Sequence, residues 1–221
     1  MRLSGLYVLA ALALVGNGAG DLKAANLIVN GSFESPSVGT NWANFANGAV
    51  PGWNDTSGSD GIEIDYSPVI GGIAYDGNQS MEVDATTFDT VSQTVVGLTV
   101  GDQYRLFWAY GDRPGSGPQQ LNVYFGGNLV TTDSDTSVTD GNASLVWFPQ
   151  SFLVTATSTS EVLSFAAVNV GGLPSYGNEI DGVSLSEVPE PATLPLVAPA
   201  LIGLLGYGWR RVLLSASGPR P

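Results

Sequence analysis

The chain is predicted to fold as an all-β, two-sheet sandwich framed by two processing segments, and three observations carry that expectation. Of its 221 residues, 29 are glycine and 13 proline, and only 12% are charged, a turn-rich composition unlike that of a helix bundle or coiled coil. Between Asn26 and Glu187, short β-branched and aromatic runs recur between Gly, Pro, Asn and Asp, without a 3.6-residue apolar period. About ten such runs, each of roughly four to ten residues, are more than one open sheet manages without exposing both faces, so they divide into two packed layers.

The elements follow in chain order. Residues 1–25 read as a signal peptide with a signal helix: Arg2 precedes an apolar run from Leu6 to Val15, and small residues follow. Ten apolar residues are too few to span a bilayer core of about 30 Å. Cleavage after Ala19, Ala24 or Ala25 fits the pattern, and Ala25 is favoured because strand-like residues begin there. Strand signals then fall at Leu27-Ile28-Val29, ended by an Asn30-Gly31 turn, and at Ile62/Ile64 and Met81/Val83, which alternate with Glu63, Asp65, Glu82 and Asp84. Further runs cover 91–96, 103–110, 119–125, 145–155, 161–168 and 179–186. Strand parity assigns Tyr104, Leu106, Trp108 and Tyr110 to the core, with Leu121, Val123, Phe125, Leu163 and Phe165. The opposite parity presents Arg105, Phe107, Asn122 and Tyr124 outward. Trp53, following Pro51-Gly52, reads as a core ring at a strand start.

Composition also excludes chemistry. The chain has no histidine and no cysteine, which removes Ser-His-Asp hydrolysis, thiol nucleophiles, disulfides, and His- or thiolate-bound metals. Residues 26–188 hold two basic side chains, Arg105 and Arg113, against eighteen acidic ones, a net of −16. Such a body repels nucleic acid and anionic lipid.

The C-terminal region runs Val188-Pro189-Glu190-Pro191-Ala192-Thr193, then an uncharged stretch over 194–209, then Arg210 and Arg211. A short apolar segment closed by arginines reads as a transmembrane helix with its basic end in the cytoplasm. The order of proline motif, apolar stretch and basic cluster, over 188–214, resembles the PEP-CTERM sorting signal of exported bacterial proteins. That resemblance implies recognition by an exosortase-type membrane peptidase, with Pro189, Glu190, Pro191, Arg210 and Arg211 as the motif. It also implies removal of the tail and release or attachment outside the cell. Val212, Leu213, Leu214 and a 215–221 tail depart from the usual early stop. An ordinary C-terminal membrane anchor is the plainer alternative.

A second resemblance covers residues 26–187. Asn26-Leu27-Ile28-Val29-Asn30-Gly31-Ser32-Phe33-Glu34, Val50-Pro51-Gly52-Trp53, Ala74-Tyr75-Asp76-Gly77-Asn78-Gln79-Ser80, Gly101-Asp102-Gln103-Tyr104 and Glu179-Ile180-Asp181-Gly182-Val183-Ser184-Leu185 occur in that order. The set is similar to the DUF642 group of galactose-binding-like jelly rolls, which are akin to carbohydrate-binding modules. What it implies is a jelly-roll sandwich and, by analogy, association with extracellular polysaccharide.

Candidate sites follow. Glu34 and Asp181 are the metal candidates, a pair that a jelly roll brings together from its terminal strands, with calcium the metal that oxygen-only ligands take. The plainer reading has both carboxylates accepting backbone hydrogen bonds. For a sugar, Phe107, Tyr124, Trp42, Trp147 and Tyr176 offer ring faces, while Arg105, Asn122, Asp112 and Arg113 offer hydrogen bonds. For the two arginines the plainer reading is ion pairing. Glu63, Asp65, Glu82 and Asp84 are numerous enough to permit a glycosidase-type pair, but their alternation with core residues reads as solvated strand faces. Asp133, Asp135 and Asp140 are assigned to a solvated loop. The function this supports is a non-catalytic, exported surface or matrix module that binds polysaccharide. A structural surface or biofilm protein with protein partners is the alternative.

Overall fold

A computed structural model describes residues 25–57, 61–135 and 144–189. Residues 1–24 of the expected signal peptide, the 194–209 segment, Glu190, Pro191, Arg210, Arg211 and Asp140 lie outside those residues. Among the described residues no helix is long and apolar enough to cross a membrane.

Eleven strands are present among them: β1 (Trp42–Phe45), β2 (Asn54–Asp55), β3 (Ile62–Tyr66), β4 (Gln79–Glu82), β5 (Thr90–Val96), β6 (Gln103–Asp112), β7 (Gln119–Phe125), β8 (Asn128–Asp135), β9 (Trp147–Thr155), β10 (Ser160–Ala167) and β11 (Asn178–Glu187). They form two sheets, ordered β1-β3-β4-β11-β6-β9 and β2-β5-β10-β7-β8, with antiparallel pairing throughout. The expected all-β sandwich of two sheets is the observed architecture.

The parity assignment of the core holds. Tyr104, Leu106, Trp108 and Tyr110 of β6 are buried, as are Leu121, Val123 and Phe125 of β7 and Leu163 and Phe165 of β10. Trp108 stands at the centre, stacked on Phe152 at 5.6 Å and edge-on to Phe165 at 5.8 Å. Trp53 is fully buried, between Phe33 at 5.3 Å and Phe165 at 6.0 Å. Each buried ring with a polar tip finds a partner: Trp53 Nε1 donates to Asn30 O, Tyr104 Oη accepts from Thr99 N, and Tyr110 Oη donates to Asn178 Oδ1.

Three assignments need correction. Residues 27–29 join neither sheet as a strand; Leu27 N reaches Leu185 O, while Val29 N is held by the Gln93 side chain. Strands β1 and β2 were not expected. Asp133 and Asp135 belong to strand β8 rather than a loop, and Asp133 is buried because Trp108 Nε1 donates to it at 2.8 Å.

One irregularity positions the site. The β6–β11 register slips between Asp181 and Ser184, where Gly182 adopts φ 60°. This β-bulge switches strand parity. Ile180 points inward before it and Val183 and Leu185 after it, leaving Glu179, Asp181, Ser184 and Ser186 on the outer face. Edge strand β9 carries the exposed Pro149 opposite Ala109.

Candidate binding face on the six-stranded sheet

The pairing registers place a row of acids across the outer face. Asn44, Glu63, Glu82, Glu179, Gly111 and Trp147 are successive cross-strand neighbours from β1 to β9. Two residues along each strand, Asp65 pairs Trp42 and Ser80, and Asp181 pairs Ala109. Period-two alternation puts both rows on the same face.

These acids are not solvated, which corrects the expectation from their alternation. Asp65, Glu82, Asp84, Glu179 and Asp181 have no solvent exposure, and Glu63 is 6% exposed. Asp84 is held by the side chain of Asn178, which points between the sheets toward Tyr110 and Gln119. For the acids of the two rows the cover is instead the connection over residues 67–78, which lies across the sheet. Its neck is closed by Ser67 N and Oγ, both donating to Asn78 O. Farther along, Val69 O accepts from Arg113, Gly71 O from Leu145 N, and Ile73 O from Trp147 Nε1 at 2.7 Å. Tyr75 packs on Phe107 at 5.9 Å and on Trp147 at 6.3 Å.

Arg113, entering just after β6, neutralises part of the row. Its Nη1 donates to Glu82 Oε2 and lies 3.5 Å from Asp65 Oδ2, while its guanidinium stacks 4.1 Å above the Tyr176 ring. Burial would lower its pKa, but Glu82, Glu179 and Asp65 more than offset this and hold it charged. Burial raises every acid of the cluster. Glu63 is pushed up to about 9, with the Glu82 and Asp65 charges adding to burial. Glu82 rises to about 7 against the pull of Arg113. Burial likewise raises Asp65, opposed by Arg113, and Glu179, reinforced by Asp65 and Glu82. Beside them, burial lifts Asp181 to about 8 although the amides of Asp76 and Gly182 favour its charge.

Beyond the buried acids the face opens into a groove of about 930 Å³, lined among others by Asn26, Tyr75, Asp76, Arg105, Phe107 and Ser184. Tyr75 is 43% exposed and Phe107 half-buried, so the groove offers ring surface. Exposed Arg105 donates to Ser151 Oγ at 3.2 Å, and no described carboxylate pairs with it in a salt bridge. The bulge shapes this wall, because a Cβ at Gly182 would strike the Tyr75 ring.

The six residues expected to bind ligand do not form one site. Arg105 and Phe107 share the groove, whereas Asn122 and Tyr124 lie on the outer face of β7 in the other sheet, bonded to each other at 3.3 Å. Asp112 is buried and accepts from Ser116 Oγ. Arg113 is committed to its ion pairs, the plainer of its two readings. Trp42 and Trp147 lie on opposite edge strands, and Tyr176 serves Arg113. Pro189 lines the groove.

Glu34 and Asp181 converge on one turn. Glu34 Oε1 accepts from the amides of Asn78 and Gln79, at 2.6 and 2.8 Å, and Asp181 Oδ2 from that of Asp76 at 2.8 Å. Backbone acceptance, the plainer reading, is thus what the described contacts contain. Tyr75 was missed by the sequence reading of the site, although Val69, Ile70, Ile73, Ala74 and Tyr75 make an unusually apolar connection.

No protein-family model matches the chain. It is 29% identical over 182 residues to Halomucin of Haloquadratum walsbyi (strain DSM 16790 / HBSQ001), covering 79% of this chain and only 2% of that protein's length. Among solved structures, a cyclase from Fischerella sp. TAU superposes with a TM-score of 0.51 at 18% identity, over 76% of this chain and all of that one. The K1 cleaved adhesin domain of Lys-gingipain from Porphyromonas gingivalis W83 gives 0.50 at 15% identity, over 67% and 98%. The CBM22-1 xylan-binding domain of Paenibacillus barcinonensis Xyn10C gives 0.41 at 15%, over 68% and 94%. At these identities the likeness is one of fold, and a fold shared with a cyclase and an adhesin does not choose a function.

Proposed function

We propose that this chain is an exported, non-catalytic module of the cell surface or extracellular matrix that binds polysaccharide in the groove of its six-stranded sheet. In this reading the sandwich is a galactose-binding-like jelly roll of DUF642 type. The C-terminal segment is a PEP-CTERM signal processed by an exosortase-type peptidase after transient membrane anchoring. The observation that carries the binding reading is the juxtaposition of the Tyr75 and Phe107 rings with Arg105 in one open groove. Ring faces stack on the C–H surface of a sugar, and a planar guanidinium reads its hydroxyl or carboxylate oxygens. The acid cluster argues against glycoside hydrolysis: Asp65, Glu82 and Glu179 are fully buried, so no glycosidic oxygen reaches them.

A glycan array probed with the full chain, with calcium and with chelator, tests this. Retention on one class of extracellular polysaccharide, weakened about tenfold or more in Phe107→Ala and Arg105→Ala, is the expected result. Absence of retention on every glycan, together with association with other surface proteins, would favour the structural alternative. Mass spectrometry of the exported chain tests processing, with loss of mass from a cut near Pro189-Glu190-Pro191 expected.

A further inference from the structure

The acids beneath the 67–78 connection have too little positive charge around them. One carboxylate oxygen each from Glu63, Asp65 and Glu82 lies within 4.8 Å of the others. Arg113 is the cation that faces them. A fourth acid enters from β11: Glu179 is fully buried, and its Oε2 takes the Ser80 hydroxyl at 2.8 Å while its Oε1 has no hydrogen-bond donor. Asp65 receives no hydrogen bond from an amide, hydroxyl or guanidinium; the guanidinium stands 3.5 Å off, and its other close polar neighbours are the carboxyl groups of Glu63, Glu82 and Glu179. Buried carboxylate oxygens without donors are costly unless something positive meets them.

We propose that Glu63, Asp65, Glu82 and Glu179 together hold one calcium ion, enclosed between β3, β4, β11 and the 67–78 connection. Among Glu63, Asp65 and Glu82 the ligand oxygens spread by at most 4.8 Å, which matches oxygens about 2.3–2.6 Å from a shared centre, the calcium distance, and Glu179 adjoins this trio through Asp65. Four carboxylates supply up to eight oxygens, and the set contains no nitrogen or sulfur to favour zinc or copper. Magnesium, which keeps several waters, suits a closed site less well. With Arg113 present, four ionised carboxylates leave three uncompensated negative charges, which a divalent cation reduces to one. Because the connection closes over the site, loading accompanies its folding. This site is distinct from the Glu34/Asp181 pair and separate from the proposed glycan groove.

The full chain, refolded in chelator and dialysed against calcium, tests the proposal. One calcium per chain is expected by elemental analysis, with Tm rising by about 5–10 °C at calcium about 100-fold above Kd. Glu179→Gln and Asp65→Asn, which remove charge at constant volume, lower calcium affinity about tenfold or more. They also raise Tm in chelator relative to the parent in chelator, because less unpaired charge is buried. Glu34→Gln keeps calcium uptake. No uptake by the parent chain overturns the proposal and leaves shared protons as the neutralising agent. Unchanged uptake in both Glu179→Gln and Asp65→Asn, or uptake lost in Glu34→Gln alone, also overturns it, the latter placing the ion at Glu34 and Asp181. Glycan retention measured on the same samples fails or succeeds independently of these outcomes.

Discussion

Trp108 of β6 donates its indole N–H to Asp133 Oδ2 of β8 at 2.8 Å, joining the two sheets through a buried polar contact. Burial raises the Asp133 pKa to about 6 even though the indole favours its charge. The folded chain therefore holds this proton more tightly than the unfolded one. Its contribution to stability is full below about pH 4 and is lost as pH rises through about 6. Asp133→Asn keeps an acceptor for Trp108 and removes the titration. Compared with the parent, it is expected to gain on the order of 1–2 kcal/mol at pH 7.5 relative to pH 4. Urea melts of both chains across that range measure the difference, and parallel profiles would contradict the assignment.

Arg113 is expected to be the most sensitive single charge in the body. Arg113→Met leaves Glu82 and Asp65 buried without their guanidinium and costs about 3–5 kcal/mol. Adding Glu82→Gln recovers part of that loss, so a double-mutant cycle should show coupling of about 1–3 kcal/mol. Additivity would show that the pair is not coupled.

Asn178 links three strands: its Nδ2 donates to Asp84 and to Gln119 Oε1, and its Oδ1 accepts from Tyr110. Tyr110→Phe deprives Oδ1 of its donor and costs about 1–3 kcal/mol. Asn178→Ala strips the buried Asp84 carboxylate as well and costs more, a ranking that chemical denaturation can check.

Gly31 has an ordinary φ but no room. A Cβ there would collide with the Val183 carbonyl, while Val183 N donates to Gly31 O. Gly31→Ala is expected to push the N-terminal segment from the bulge, costing about 2–3 kcal/mol. It should also deform the groove wall formed by residues 26–32. Loss of thermal stability together with reduced glycan retention is the expected pair of readouts.

Alternation along β6, β7 and β10 was enough to assign the core because each strand keeps one parity from end to end. Strand β11 does not, yet its bulge is written in the spacing Ile180, Val183, Leu185, with Gly182 free to take positive φ. Strand β8 was read as a loop because Thr131, Thr132 and Ser134 mask its alternation. The signal lay one step earlier: Gly126 and Gly127 both have positive φ, the pattern of a two-residue hairpin, which commits Asn128 onward to pair with β7. The acids of β3 and β4 misled for a different reason. Period two says that a face differs from the core, but not what covers it. Long-range placement of the 67–78 connection decided that, and its apolar content was the only local hint. The dispersal of Arg105 and Asn122 onto different sheets likewise depends on strand order, which no local pattern encodes.

Pro149, exposed in the outermost ribbon β9, has no amide hydrogen to offer. A neighbouring polypeptide seeking to extend the sheet there meets a gap in the ladder of donors, which works against fibre-like stacking. Where copies of the chain are crowded, they therefore meet through their side chains, and the sheet stops growing at this proline.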